Sequence, residues 1–264
     1  VTFAALGVNA LTAAAALAAI MGGAWSVQRL TGQSGWIDAI WTFGVGATGA
    51  ALALARIGSC ETLGWRAGAI ATAAGLWSLR LGLHLFARTK QAPDDPRYRK
   101  LIDEWGPSSP ARLLLFLQAQ GLVGAALALA VALAADAPSP GFRAQDVTGL
   151  AIFVLALCGE AAADAQLRRF KADPAHRGRI CDVGLWGRSR HPNYFFEWLI
   201  WVAFAVVATG GDMGVGAWIA PALMYWTLRH ASGIPPIEER MRITRGDAFR
   251  AYQARTPAFF PRLL

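Results

Sequence analysis

Charge is scarce in this chain. Only 16% of its 264 residues are charged, against 55% that are hydrophobic, and a soluble domain of this length carries more charge and shorter apolar runs. Cysteine is scarcer still. Cys60, Cys158 and Cys181 form an odd, scattered set without metal-ligand spacing, so they read as free thiols, with Cys60 alone on the outer side, and no metal site is expected. The sequence has no internal repeat, no low-complexity tract and no break that would mark a second domain. No basic residue precedes the first apolar stretch, and that stretch is too long for the core of a signal peptide, so it reads as a retained span.

What is abundant is apolar sequence, in runs of the length a bilayer demands, roughly 20 residues per helix. Seven such runs stand out, at about 2–24, 34–56, 67–87, 112–135, 147–167, 192–210 and 213–230. The expected fold is therefore all-α: one polytopic transmembrane bundle of about seven helices over residues 1–264, without a Rossmann domain.

The formal net charge of +8 could suggest nucleic acid, but its distribution points to a membrane instead. With the N-terminus outside, 21 Lys and Arg fall on the cytoplasmic segments 25–33, 88–112, 168–191 and 229–264. Only Arg56, Arg66 and Arg143 fall on the other side, and Arg80 lies within a span. That asymmetry is the positive-inside pattern, and it predicts a cytoplasmic C-terminus. The expected partners are membrane lipids and an apolar small-molecule or lipid substrate, not nucleic acid. The Ala- and Arg-rich composition points to a bacterial inner membrane.

Three sets of polar residues interrupt the apolar runs. Glu160, Asp164 and Arg168 recur at i, i+4 and i+8 on the fifth run and so share one helix face; they read as the wall of a polar cavity or as a structural ion pair with the arginines of the tail. RHPNYFFE at 190–197 places Asn193 and Glu197 four residues apart on the sixth run, with Pro192 suited to a helix start whose free N–H groups attract anions. Around it lie Arg168, Arg169, Lys171, Arg177, Arg179, Arg188 and Arg190, guanidinium and ammonium groups able to hold a polyphosphate. Part of that basic charge serves topology alone. So much of it favours a ligand with an extra phosphate, NADPH over NADH. The third set is Asp38 in the second run with Arg80, His84 and Arg88 on one face of the third. Asp38 paired with Arg80 or His84 would either polarise a substrate carbonyl or lock two helices together.

GVGATG at 44–49 matches a dinucleotide fingerprint, which has mechanical meaning only between a strand and a helix. Inside an apolar run its small residues let backbones approach instead. The tail from Pro235 reads as a short amphipathic helix with Phe249 and Tyr252 on its buried face, followed by Phe259-Phe260-Pro261 docking back onto the bundle.

RHPNYFFE, the basic loop before it and the basic tail ending YQARTPAFFP resemble the membrane reductases related to steroid 5-alpha-reductase, closest to their bacterial branch. The resemblance covers roughly the last 110 residues well and the first half weakly. The same region also resembles isoprenylcysteine carboxyl methyltransferases, which share the His-Pro-x-Tyr element. The reductase resemblance implies a seven-helix bundle whose cytoplasmic half encloses NADPH, with the cofactor-binding part at about 150–264. It implies cofactor contacts from Glu160, Asp164 and Arg168 and from Asn193 and Glu197. The basic residues Lys171, Arg179, Arg188 and Arg190 join them as candidates, with His191, Tyr194, Glu238 and Tyr252.

The family's catalytic acid corresponds to Asp38 or a close neighbour, with Arg80 and His84 as further catalytic candidates. Two departures are visible: the Gln-Glu pair of the steroid enzymes is absent around Asp38, and their carbonyl-binding tyrosine falls at Trp77 or Ser78. The implied reaction is NADPH-dependent reduction of a carbon–carbon double bond conjugated to a carbonyl in a steroid- or lipid-like substrate. The alternatives are an S-adenosylmethionine-dependent lipid or thiol methyltransferase and a non-catalytic lipid-binding membrane protein.

Overall fold

In hydrocarbon a backbone amide finds no water, so apolar runs of this composition satisfy their amides internally, as helices. The structure, a computed structural model, describes residues 2–55, 64–91, 94–136 and 141–262. Arg56 and Cys60 lie outside the described residues. The helices are α1 (Phe3–Thr31), α2 (Gly35–Leu54), α3 (Gly64–Gln91), α4 (Pro96–Trp105), α5 (Ser109–Ala135), α6 (Ala144–Ala172), α7 (Leu185–Arg188), α8 (Pro192–Ala208), α9 (Ile219–Trp226) and α10 (Ile234–Arg255). No strand occurs among the described residues, and the protein is an all-α, polytopic membrane protein.

Five helical stretches are long and apolar enough to cross a membrane: α1, α2, α3, the continuous Pro96–Ala135 stretch of α4 and α5, and α6. The other two of the seven expected spans are shorter. α8 has 17 residues, about 25 Å at ~1.5 Å per residue. The run at 213–230 is not one helix. It consists of a 3-10 turn at Gly214–Trp218, the two-turn α9 and a π-helical turn at Thr227–Ala231. Hydropathy alone joins these pieces because it does not register where backbone hydrogen bonding changes pattern. Conversely, the charged stretch 88–112 contains α4, capped by the Asp95 side chain on the Arg97 amide.

The chain divides into two compact units, Val1–Asp146 with Phe204–Ala220, and Val147–Ala203 with Pro221–Leu264. In the first, α2 lies among α1, α3 and α5, and its glycines account for that. A Cβ at Gly44 would meet Ile20 of α1, one at Gly46 would overlap the Ser78 side chain of α3, and one at Gly49 would press on Val131 of α5. The nucleotide-like GVGATG segment is thus a three-sided packing surface. Met21, Ala24, Ile37, Tyr98, Leu113 and Leu117 form one core cluster beside it. At one end of this unit Arg66, only 1% exposed, donates to Asp146 at 2.8 Å. Arg143 donates to the same carboxylate at 2.8 Å and to the Val207 carbonyl at 2.7 Å.

In the second unit α6 and α8 approach closely at Gly159, where a Cβ would collide with the Phe196 ring. α10 breaks at Gly246, whose φ of 51° is a conformation that a glycine tolerates. Phe249 and Tyr252 are buried as the amphipathic pattern predicts. The tail docks back within this unit: Arg190 N–H donates to Pro257 O at 2.9 Å and Arg262 N–H to Arg188 O at 3.0 Å. Phe259 and Phe260 join Phe195, Trp198 and Tyr225 in an aromatic cluster, with ring centroids 5.2 to 6.2 Å apart.

Candidate functional site

The four-residue spacing on α6 and α8 does bring acids and an amide together in the second unit. Glu160 and Asp164 are 3% and 5% exposed and Glu197 is 5% exposed. Asn193, in the first turn of α8, donates from Nδ2 to Asp164 Oδ1 at 3.3 Å. Glu197 accepts the Trp201 indole N–H at 3.1 Å, one turn further along α8. The amide oxygen of Asn193 is buried and has no hydrogen-bond partner among the described residues. A buried polar atom is satisfied in the great majority of cases, so an orphan acceptor beside a carboxylate is a place where a ligand donor fits.

The basic candidates divide differently. Arg168, Lys171, Arg179 and Arg188 are exposed, so the face that begins with Glu160 and Asp164 emerges at Arg168. Arg190 is occupied within the protein. Its Nε and Nη2 donate to Glu238 at 2.7 and 3.1 Å, and Nη1 donates to the carbonyls of Gln253 and Thr256. Four of its five N–H donors are thereby used.

Glu238 also accepts from Gln253 Nε2 at 2.8 Å. Burial opposes the ionisation of Glu238, but the hydrogen bonds from His191 and Arg190 and the arginine charge outweigh it and hold the carboxyl down at about 2. Burial lowers His191 below its ordinary value, and the bond to Glu238 only partly offsets that. We therefore take His191 as neutral, with Nε2–H donating to Glu238 Oε1 at 3.1 Å. Tyr194 stacks on the His191 ring at 5.7 Å. The Tyr252 hydroxyl donates to the Trp186 carbonyl, and burial raises its pKa. Arg190, His191, Glu238 and Tyr252 thus form a latch between the 186–191 segment, α10 and the docked tail.

In the first unit Asp38 takes partners that the sequence did not assign to it. Arg97 of α4 donates to its Oδ2, Arg88 lies 3.7 Å from the same oxygen, and Tyr98 donates to Oδ1 at 2.8 Å. Gln120 Nε2 in turn donates to the Tyr98 hydroxyl at 3.1 Å. Arg80 and His84 are half-buried on α3, but the hydrogen-bond and ion-pair partners of Asp38 are the α4 residues and Arg88. The stretch holding Arg97 and Tyr98 reads as a loop by its prolines and charges, so sequence periodicity offered no route to them. Where the resemblance to the reductases would place their carbonyl-binding tyrosine, Trp77 is buried and Ser78 Oγ donates to the Thr42 carbonyl at 3.1 Å. Cys158 is an exposed thiol and Cys181 a buried one.

The long apolar helices and the buried polar cluster define an integral, multi-spanning membrane protein. The chain belongs to the family described as "Protein of unknown function (DUF1295)", whose model matches residues 24–256. It is similar to "Uncharacterized protein C594.04c" of Schizosaccharomyces pombe (strain 972 / ATCC 24843), at 33% identity over 103 residues. That match covers 36% of this chain and 28% of the relative's own length. No solved structure matches the chain significantly.

Proposed function

We propose that the second unit binds NADPH at its buried acid–amide cluster and that the protein reduces a carbon–carbon double bond conjugated to a carbonyl in an apolar, steroid- or lipid-like molecule. The observation that carries this reading is the orphan Asn193 amide oxygen beside Asp164. An acceptor pair of this kind suits the hydroxyls of a ribose or the N–H₂ of a carboxamide, and buried Glu160 and Glu197 add further acceptors. Arg168, Lys171 and Arg188, exposed at the edge of the same unit, are the groups suited to phosphates. NADPH, when bound, supplies the two-electron reducing equivalent. The resemblance of RHPNYFFE and YQARTPAFFP to the steroid 5-alpha-reductase relatives supports the same assignment.

The protein's own contribution is to orient the cofactor, exclude water through the apolar helices and stabilise charge on the substrate oxygen. Arg80 and His84 are the residues proposed for that last task, and Asp38 is proposed to serve it indirectly, by holding the cations Arg97 and Arg88. The partners of Asp38 narrow its part: a carboxylate held by Arg97 and Arg88 and accepting from Tyr98 serves as an acceptor and an anchor, not as a proton donor. The distribution of Lys and Arg supports a cytoplasmic C-terminus and a site facing the cytoplasm, in a bacterial inner membrane.

The test is turnover. Purified protein is given NADPH and a panel of apolar enones, and the saturated product is sought by mass spectrometry. Product formation that depends on NADPH supports the reading; its absence across the panel, with NADPH bound, removes the reaction.

One observation favours a second reading. The buried charges of the cluster are carboxylates, whereas its cations are exposed. A sulfonium cation would suit such a site, so an S-adenosylmethionine-dependent methyltransferase is the alternative, distinguished by which cofactor stabilises the protein.

A further inference from the structure

The tryptophans of this protein differ in what their indole N–H groups meet. Trp25, Trp41, Trp186 and Trp198 each donate to a backbone carbonyl, at 2.9 to 3.0 Å. Trp201 donates to a side chain instead, reaching Glu197 Oε1 at 3.1 Å. A buried indole N–H needs an acceptor, and a carbonyl supplies one without placing a carboxylate in an apolar interior. The needs of Trp201 therefore do not explain the pair.

The needs of Glu197 do. Asn193, Glu197 and Trp201 recur every four residues on α8 and share one helix face. Burial deepens along that face: Asn193 is half-buried, Glu197 is buried and Trp201 has no exposed surface. Beyond Trp201 the helix is apolar to its end at Ala208, so the indole is the last polar group on the face. A long side chain on a helix leans back toward the N-terminus, which brings the Trp201 indole to Glu197. A tryptophan turns about fewer bonds than a glutamate, and this one is enclosed, so the flexible acid is tied to a rigid post. Being neutral, the indole orients the carboxyl without countering its charge, unlike the Arg190 fork on Glu238.

We propose that Trp201 is a positioning residue, whose N–H sets Glu197 in the orientation that receives a donor group of the cofactor before the cofactor arrives. This rests on the reading that NADPH binds at the buried acid–amide cluster. A preset side chain need not be ordered when the ligand binds, so affinity rises.

NADPH affinity is measured by isothermal titration on the full chain, purified in mild detergent. Two variants remove the N–H: Trp201→Phe, and Trp201→benzothienylalanine, which keeps the shape of the indole and guards against a folding defect. Each should weaken NADPH about two- to ten-fold, as the ordering of one flexible side chain on binding would. In a Glu197→Ala background the same changes should weaken it no further, because the side chain they position is gone. A second readout is the indole N–H resonance of isotope-labelled tryptophan that Trp201→benzothienylalanine removes. It should shift when NADPH is added, which a purely structural hydrogen bond would not do.

Wild-type affinity in both Trp201 variants, with Glu197→Gln weakened, overturns the positioning role and leaves the cofactor reading standing. So does a resonance that stays put at saturating NADPH. A full further loss in the Glu197→Ala background also overturns the role, since Trp201 would then touch the cofactor itself. If NADPH does not bind the wild type, the cofactor reading falls and the positioning role with it.

Discussion

Arg190 meets Glu238 as a two-point fork, with Nε 2.7 Å from one carboxylate oxygen and Nη2 3.1 Å from the other. The pair is nearly enclosed, so removing one partner leaves a buried charge, which typically costs about 3–5 kcal/mol. Glu238→Gln keeps the shape and removes the charge, and it should lower the unfolding temperature and loosen the docked tail. The pH dependence has a definite sign. The Glu238 carboxyl is held near 2, below its ordinary 4.5, so its stabilisation is complete above about pH 4.5 and is lost as pH falls toward 2. Thermal unfolding of the wild type over that range should show the loss, and the Glu238→Gln profile should be flatter there.

The packing of α2 on α3 should be intolerant of one methyl group. A Cβ at Gly46 overlaps Ser78, whereas Gly68 of α3 has nothing within 4 Å of its Cβ position. Overpacking of this kind costs about 1–3 kcal/mol, and helix propensity favours alanine over glycine by up to about 1 kcal/mol where there is room. Gly46→Ala should lower the melting temperature in detergent and Gly68→Ala should leave it or raise it. Equal behaviour of the two would mean that α2 and α3 do not meet at this point.

Asp38 and its α4 partners should separate catalysis from cofactor binding. Asp38→Asn preserves an acceptor for Tyr98 but removes the charge that Arg97 and Arg88 face. Arg97 and Arg88 then lose the anion that positions them, and the loss of turnover should reach at most about 10²–10³, which is what removal of one charge-stabilising donor costs. Enone reduction should fall within that limit while NADPH binding persists. Wild-type turnover in Asp38→Asn would remove Asp38 from the reaction.

The buried cluster of the second unit should respond in the opposite way. Asn193→Ala and Glu197→Gln remove an orphan acceptor and a buried carboxylate. Glu197→Gln should weaken NADPH about ten-fold or more, as about 1.5–3 kcal/mol for a hydrogen bond to a charged group gives, and Asn193→Ala about two- to ten-fold, as about 0.5–1.5 kcal/mol for a neutral one gives. Isothermal titration on folded protein reads this directly, and unchanged affinity in both variants would place the cofactor elsewhere.

How far the sequence could be read depends on the range of each interaction. Glu160 with Asp164 and Asn193 with Glu197 were legible because a four-residue spacing fixes a shared helix face, and Gly44, Gly46 and Gly49 because small residues inside an apolar run mark close approach. The tail was legible too, through the pattern of Phe249, Tyr252 and Phe259. Arg97 and Tyr98 were not, because their bond to Asp38 spans about 60 residues and is made from a helix hidden in a Pro-rich, charged stretch. The bond between Arg66 and Asp146 was not legible either, because it spans 80 residues. Arg190 looked like a free phosphate ligand, since nothing local reveals that Glu238 and two tail carbonyls occupy it. The change of helix type within 213–230, from 3-10 to α after Trp218 and from α to π after Trp226, was not legible because hydropathy averages over it.

Cofactor identity tests the central claim most directly. The purified protein is denatured and its released small molecules are identified by mass spectrometry; the stripped protein is then titrated with NADPH, NADH and S-adenosylmethionine, and its melting temperature is followed. The account predicts NADP(H) among the released molecules and a larger stabilisation by NADPH than by NADH, diminished in Asn193→Ala. Stabilisation by S-adenosylmethionine alone would contradict the account and move the protein to the methyltransferases.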